Sequence, residues 1–148
     1  MKKFKFGLQS VLREREIRED EKKREVAQAL LALRKQEKIL MDLVNKMRSV
    51  ESEEIAEKSK KELDIKVIRL CESFLIVLKT KIVTQKKNIQ EHENVLVQKQ
   101  KNLAEAIKRK KIIATLKEKA RVNYYQEMEK IEQKLIDEFS VLRFKVNV

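Results

Sequence analysis

The stretch "IRLCESFLIVLKTKIVTQKKNIQEHENVLVQKQKNL", residues 68–103, decides the architecture. Ile68, Leu75, Ile82, Ile89, Leu96 and Leu103 recur through it every seven residues without exception. A helix turns once in about 3.6 residues, so a seven-residue step returns to nearly the same face. The companion row, Cys71, Leu78, Gln85, His92, Lys99 and Ala106, is mixed in polarity. One apolar row beside one semi-polar row, sustained over this many heptads, is a coiled-coil seam. Past it, Lys110 and Lys117 occupy the first row, and the pattern reads as shifting frame. Met128, Ile131, Leu135, Phe139 and Leu142 then resume it, as a stutter would produce.

Upstream, a first helix is expected from about residue 8, entered through Gly7 or the Lys/Phe alternation before it. From Arg13 to Glu25 it is polar nearly all round, with Ile17 the only apolar residue. Glu14/Arg18, Glu19/Lys23 and Asp20/Arg24 set acid before base at four-residue spacing, a favourable order on a solvated helix. Val26, Leu30, Leu33, Leu40, Leu43, Met47 and Val50 then gather on one face at three- and four-residue spacing. The stripe fades in "SVESEEIAEKSKKELD", where Ser59 and Glu62 form an S-x-x-E capping box. The expected division is helix 1 over about 8–57, a turn near 57–59 and helix 2 over about 60–142.

Two helices joined by a short turn lie antiparallel. The fold expected is all-α: a single domain over 1–148 built as an antiparallel coiled-coil hairpin whose second helix is the longer. A turn centred near residue 58 sets Leu8 beside Arg109. Beyond that pairing α-helix continues as an overhang of roughly 35 residues, or about 50 Å. It carries Tyr124, Met128, Ile131, Leu135, Phe139 and Leu142, an apolar stripe with no partner in the chain. Such a stripe implies a binding end.

Composition agrees with long helices and excludes much chemistry. With no Pro, one Gly and 41% charged residues, the chain lacks the punctuation of tight loops and sheets. A phosphate-cradling loop needs several glycines. His92 and Cys71 are the only residues of their kinds, too few for a metal cluster. They stand 21 residues apart on one helix, about 30 Å, so a Cys–His nucleophilic pair is out of reach. A buried small residue and a seam histidine are the plainer readings. Exposed carboxylates lack the desolvation that tunes an acid or base. The expectation is a non-enzymatic protein that needs no cofactor.

The start "MKKFKF" is basic, but Arg13, Glu14, Arg15 and Glu16 arrive before any apolar run of secretory type. The acids also count against a mitochondrial presequence. The longest apolar run, "FLIVL" at Phe74 to Leu78, is far short of a bilayer span. One cysteine excludes an internal disulfide and fits a reducing, cytoplasmic setting. The net charge of +12 is unevenly spread: from Val97 to Arg121 nine bases face two acids. "KRKK" at Lys108 to Lys111 is a solvated face, a surface for an acidic protein, or a tracker of nucleic acid or lipid. Charge alone leaves all three open. Aromatics for base stacking are not interleaved with it, which weighs against nucleic acid.

"FKFGLQSVLREREIREDEKKREVAQA", residues 4–29, resembles the amino-terminal signature of the FliJ family of flagellar export proteins. Phe4, Phe6, Leu8, Val11, Leu12, Arg13 and Glu16 carry the match to an F-x-F-x-L-x-x-L-type entry leading into a charged helix. "SFLIVLKTKIVTQKKNI" after the turn, "KLIDEF" near the end and the overall size agree with it.

The resemblance implies an antiparallel hairpin similar to the central-stalk gamma subunit of rotary ATP synthases. Such a stalk enters the hexameric flagellar type III export ATPase with its paired termini. It contacts the cytoplasmic domain of the export gate further along, and it binds export chaperones. The implied location is cytoplasmic, peripheral to the inner face of the membrane at the flagellar base. The ring-binding end would comprise Phe4, Phe6, Leu8, Leu12, Met128, Ile131, Leu135, Phe139 and Leu142. The gate-binding positions implied are Gln36, Leu40, Leu43 and Met47 on the first helix, with Phe74, Leu78, Lys81 and Gln85 on the second. Leu43 and Met47 stand where the family usually has aromatics, and Lys81 and Gln85 replace a small residue and a histidine. Leu40, Met47 and Leu78 can equally be seam residues, whereas Phe74 lies off both rows and is free to face a partner. Two other classes stay open on the residues alone: a self-associating coiled-coil scaffold, and a basic coiled coil that accompanies nucleic acid.

Overall fold

The computed structural model describes residues 3–146 and contains two helices, α1 (Gln9–Lys58) and α2 (Ile65–Val146), with no strand among the described residues. They pack against each other antiparallel, and α2 is the longer. Heptad burial explains the pairing. On α1, the row Leu12, Glu19, Val26, Leu33, Leu40, Met47 and Glu54 is withdrawn from solvent at every member. So is the row Arg15, Lys22, Ala29, Gln36, Leu43, Val50 and Glu57. This is a full two-row seam, although nearly half its members are polar or charged.

The α2 rows run unbroken. After Leu103 come Lys110, Lys117 and Tyr124, and after Ala106 come Ile113 and Ala120, all half-buried. The frame shift expected after Lys110 and Lys117 comes only past Tyr124. A lysine in a seam position lays its methylene stem along the apolar row while its ammonium reaches the rim, so the heptad passes through it. Only at Met128, half-buried where the row would place Glu127, does the frame move.

α1 begins after an irregular entry. Gln9 N–H donates to the Phe6 carbonyl at 3.2 Å, and Leu12 N–H donates to the Leu8 carbonyl at 2.9 Å. Gly7 has an ordinary negative φ, and a Cβ there would meet nothing within 4 Å. The other end differs from the expectation. Ser59 donates its hydroxyl back to the Ile55 carbonyl at 2.8 Å, closing α1 rather than opening α2. The cap of α2 is Asp64, whose Oδ1 accepts from Lys66 N–H at 3.1 Å and whose carbonyl accepts from Ile68 N–H at 3.2 Å. The capping box at Ser59 and Glu62 is therefore not formed, and residues 59–64 make the connection. Lys58, in the last turn of α1, is paired with Glu54 at 2.6 Å and complements the carbonyl end of the helix dipole.

The chain divides into two compact units. One, Lys22–Leu103, contains the connection and the apolar core: Val50, Cys71, Leu75 and Leu78, with Leu43 and Met47 against them. Leu78 is 1% exposed. The other unit brings together the residues up to Glu21 and those from Ala104 onward. Leu12 and Glu19 are buried in it, at 5% and 6% exposure.

Candidate functional site

In the unit that holds both chain ends, Phe4 stacks on Tyr124 with ring centroids 5.6 Å apart and planes tilted by 51°. Tyr124 meets Tyr125 edge-on at 5.6 Å. Tilted and edge-on pairs at this distance suit the quadrupoles of the rings. Phe4 and Phe6 are half-buried and Leu12 is buried, while Leu8 is exposed. Met1 and Lys2, part of the opening stretch expected at the ring-binding end, lie outside the described residues.

Because Phe4 covers Tyr124, the unpartnered part of α2 is shorter than expected. The connection comes later than residue 58, so each α2 residue is met by a later α1 residue, Lys110 by Glu19 rather than by residue 7. Every position over 129–146 is exposed, about half the expected length of overhang. Within it Ile131 is 51% exposed, Leu135 48%, Phe139 68% and Leu142 58%. Their three- and four-residue spacing keeps them on one face, and nothing else among the described residues covers it. The nine residues assigned to this end thus fall in one unit but play two parts. Phe4, Phe6, Leu12 and Met128 fill its packing, whereas Ile131 to Leu142 stand free, with Leu8 exposed at the other helix's entry.

Next to this end lies an ionic stretch of seam. Lys110 Nζ is 3.2 Å from Glu19 Oε2, and the Glu19 side chain is only 8% exposed. Arg15 Nε is buried with no hydrogen-bond partner among the described residues. The sequence conceals these residues, because the polar run "REREIRED" looks like a solvated face. The seven-residue step from Leu12 to Glu19, and from Leu103 to Lys110, is the signal that places them inside.

In the other unit Lys99 Nζ bonds to Glu25 Oε2 at 3.2 Å, and Lys22 reaches the same carboxylate at 3.2 and 3.3 Å. Lys22 first and Lys99 second hold the Glu25 carboxyl below the ordinary carboxylate value. His92, half-buried in its row, has Nδ1 2.8 Å from the Asn88 carbonyl, as a seam histidine donating to its own helix. Cys71 is buried in the apolar core.

The eight positions implied for the gate also lie in this unit, and burial separates them. Gln85 donates across the seam to Gln36, Leu78 is fully enclosed, and Leu40, Leu43 and Met47 are half-buried. Phe74, 37% exposed, and Lys81 are the positions open to solvent. A partner arriving here would touch Phe74, Lys81 and the edges of the half-buried residues, and would find Leu78 and Gln85 occupied by the seam.

The family comparison bears on both units. The family profile described as the flagellar FliJ protein matches residues 4–148. The chain belongs to the FliJ family. That ties it to flagellar protein export, within a family of non-catalytic export components associated with the export apparatus. Searches of curated proteins and of solved structures return no match. Among the described residues no helix is long and apolar enough to cross a membrane, and no group of three or more His, Cys, Asp or Glu side chains is arranged to hold a metal.

Proposed function

We propose that this FliJ-family chain is the central-stalk component of the flagellar export ATPase complex. In this role it promotes assembly and activity of the hexameric ring and links the ring to the export gate and to export chaperones. One observation carries the reading: over 129–146, α2 continues past the cover of α1 as a helix with an uncovered apolar stripe. Exposed apolar surface of this kind is stabilised by a partner. A helical end entering a ring supplies one, since each ring subunit can present an apolar wall to the stripe. The work is mechanical rather than chemical. A single asymmetric stalk touches six like subunits unequally, and unequal contact favours some nucleotide states over others. The half-exposed Phe74 offers a contact for the gate, in the unit that holds the connection. The chain then works in the cytoplasm, peripheral to the membrane at the flagellar base.

The test is ATP hydrolysis by the cognate flagellar export ATPase, titrated with this protein and read beside its hexamer fraction. Saturable stimulation with ring assembly is expected. The same preparation lacking residues 128–148 is expected to stimulate nothing while still binding the gate's cytoplasmic domain. Full stimulation by the shortened chain overturns the assignment. The same stripe would also suit a second copy of the chain. Concentration-dependent dimerisation lost with Leu135→Ser and Phe139→Ser, without any effect on the ATPase, would move the reading to a self-associating scaffold.

A further inference from the structure

The flank of α2 beside the basic run carries a surface that neither the seam nor the overhang uses. Lys108, Lys111, Ile112, Thr115, Leu116 and Lys119 line one shallow groove. Their three- and four-residue spacing sets them along a single helix face. Ile112 is 61% exposed and Leu116 44%, while Ile113 and Lys117, the next residues along, are drawn into the seam. The seam therefore already has its own occupants at this level, and the two aliphatics are surplus to it.

The charges around the pair are also uncommitted. Lys110 is tied to Glu19 and Arg121 to Glu118. Lys108, Lys111 and Lys119 make no ion pair among the described residues. The result is a two-residue apolar strip with free ammonium groups at both ends and one alongside.

We infer that this face docks an acidic amphipathic helix of a protein partner. Ile112 and Leu116, four residues apart, form one ridge that fits between apolar residues of a facing helix at the same spacing. Glutamates flanking that apolar row would meet Lys108, Lys111 and Lys119, which fixes orientation and speeds encounter. The other polyanions fit less well. Nucleic acid would use the lysines but leave the two aliphatics unburied, and no aromatic side chain stands on this face for stacking. An anionic bilayer is entered by a broad apolar face with large anchors, and two aliphatics about one turn apart are too few. The inference is independent of the ring-binding reading, because no residue of 129–146 takes part.

The test uses the full chain and a fluorescein-labelled synthetic helix of about 18 residues. The probe has leucines at i, i+3, i+4 and i+7 and glutamates on both flanks. Anisotropy titrations are expected to show saturable binding that weakens as salt rises. Ile112→Ser with Leu116→Ser should weaken it at least about tenfold, and Lys108→Glu with Lys111→Glu and Lys119→Glu by a similar factor with a flatter salt dependence. Leu135→Ser with Phe139→Ser, on the overhang, should leave it unchanged. Thermal melts matching the parent chain establish that the groove variants remain folded, as substitutions on an exposed face predict. Absence of probe binding to the parent overturns the inference, as does affinity unaltered by both sets of groove variants or lost only with the overhang pair. Vesicles of phosphatidylserine with phosphatidylcholine serve as the second arm. Capture of the chain by vesicles through Ile112 and Leu116, with the helical probe unbound, assigns the face to lipid and overturns it too.

Discussion

Gln85 Nε2 bonds to Gln36 twice across the seam, to its side-chain oxygen at 2.8 Å and to its backbone carbonyl at 2.9 Å. A turn centred at residue 58 would have put Gln36 opposite about residue 81. The pair therefore marks the true register, about four residues along, and it sits between Ala29 and Leu43 in one row and between Leu78 and His92 in the other. Gln85 is 7% exposed, so its amide depends on this partner. Gln36→Ala should cost about 1–3 kcal/mol because it removes one acceptor of a buried donor. Gln36→Leu with Gln85→Leu should recover most of that and weaken the register, since a polar pair that specifies one alignment is lost. Urea midpoints give the first effect. Disulfide trapping between cysteines introduced at neighbouring seam positions, read for mismatched pairs, gives the second. Equal stability of Gln36→Ala and the parent chain would remove the pair's significance.

Glu19 and Lys110 make a contrasting case, because here a charge rather than an amide is enclosed. Removing a partner from a buried ion pair is costly, while replacing both members by apolar residues of similar size is often stabilising. Lys110 is 36% exposed, which dilutes the effect. Lys110→Ala should lower stability by roughly 1–3 kcal/mol, and Glu19→Leu with Lys110→Leu should raise it above the parent. Thermal unfolding followed by circular dichroism checks both. A double variant less stable than Lys110→Ala would mean that the pair contributes net stability where it stands.

Glu25 predicts an acid limb. Its carboxyl is held below the ordinary carboxylate value, first by the hydrogen bond from Lys22 and then by that from Lys99. A depressed carboxyl contributes stability that is complete above its unfolded value and is lost as pH falls through its folded one. The contribution should therefore be constant near neutrality and decline below about pH 4.5. Glu25→Gln should make the loss on acidification shallower, measured as urea midpoints over a pH series. Lys58 behaves in the opposite sense. Its hydrogen bond to Glu54 raises its pKa, so that contribution is present at neutral pH and lost only above the ordinary lysine value. An identical acid limb in Glu25→Gln would assign the limb to other carboxylates.

The sequence makes some of this legible and hides the rest for physical reasons. The apolar row from Ile68 to Leu103 announces itself, and with it the hairpin and the longer second helix. The polar half of the seam does not. Lys110 and Lys117 keep the heptad spacing but not the hydropathy, because a lysine stem supplies the apolar contact while its head reads as surface. Glu19 is hidden in the same way by the charges around it. The cap is ambiguous because Ser59 and Asp64 both qualify by type, and only the backbone geometry shows Ser59 ending one helix and Asp64 starting the next. A turn placed too early lengthens the overhang, since each residue of shift at the connection moves every pairing downstream. For the gate positions, Phe74 off the rows and Leu78 within one follow directly from the period.

Phe74 and Leu78 should accordingly separate packing from recognition. Leu78 is the most enclosed side chain of the apolar core, and Leu78→Ala should cost about 2–5 kcal/mol, the range for a large-to-small change that leaves a cavity. Phe74→Ala should cost under about 1 kcal/mol, since its ring is already partly in water. If this surface meets the export gate, Phe74→Ala should reduce binding to the gate's cytoplasmic domain while leaving the melt unchanged. Reduced binding by Leu78→Ala alone, in step with its lost stability, would count against direct recognition at this place.

The overhang yields the sharpest division between stability and function. Ile131, Leu135, Phe139 and Leu142 face solvent, and the described residues supply nothing to cover them. Leu135→Ser with Phe139→Ser should shift stability by no more than about 0.5 kcal/mol per site, the scale of exposed positions. The helix itself should persist, because neither change introduces a breaker and serine costs only a few tenths of a kcal/mol in propensity. Stimulation of the export ATPase should nevertheless fall at least about tenfold if the stripe buries itself in the ring. Tyr124→Ala supplies the complementary variant: it removes the ring on which Phe4 stacks, so it should loosen the chain-end unit and lower stability there. Hydrogen exchange localised to residues 9–21 and 104–124 reads that loosening. A pair of serines that leaves stimulation intact would detach the stripe from the ring, whatever Tyr124→Ala does.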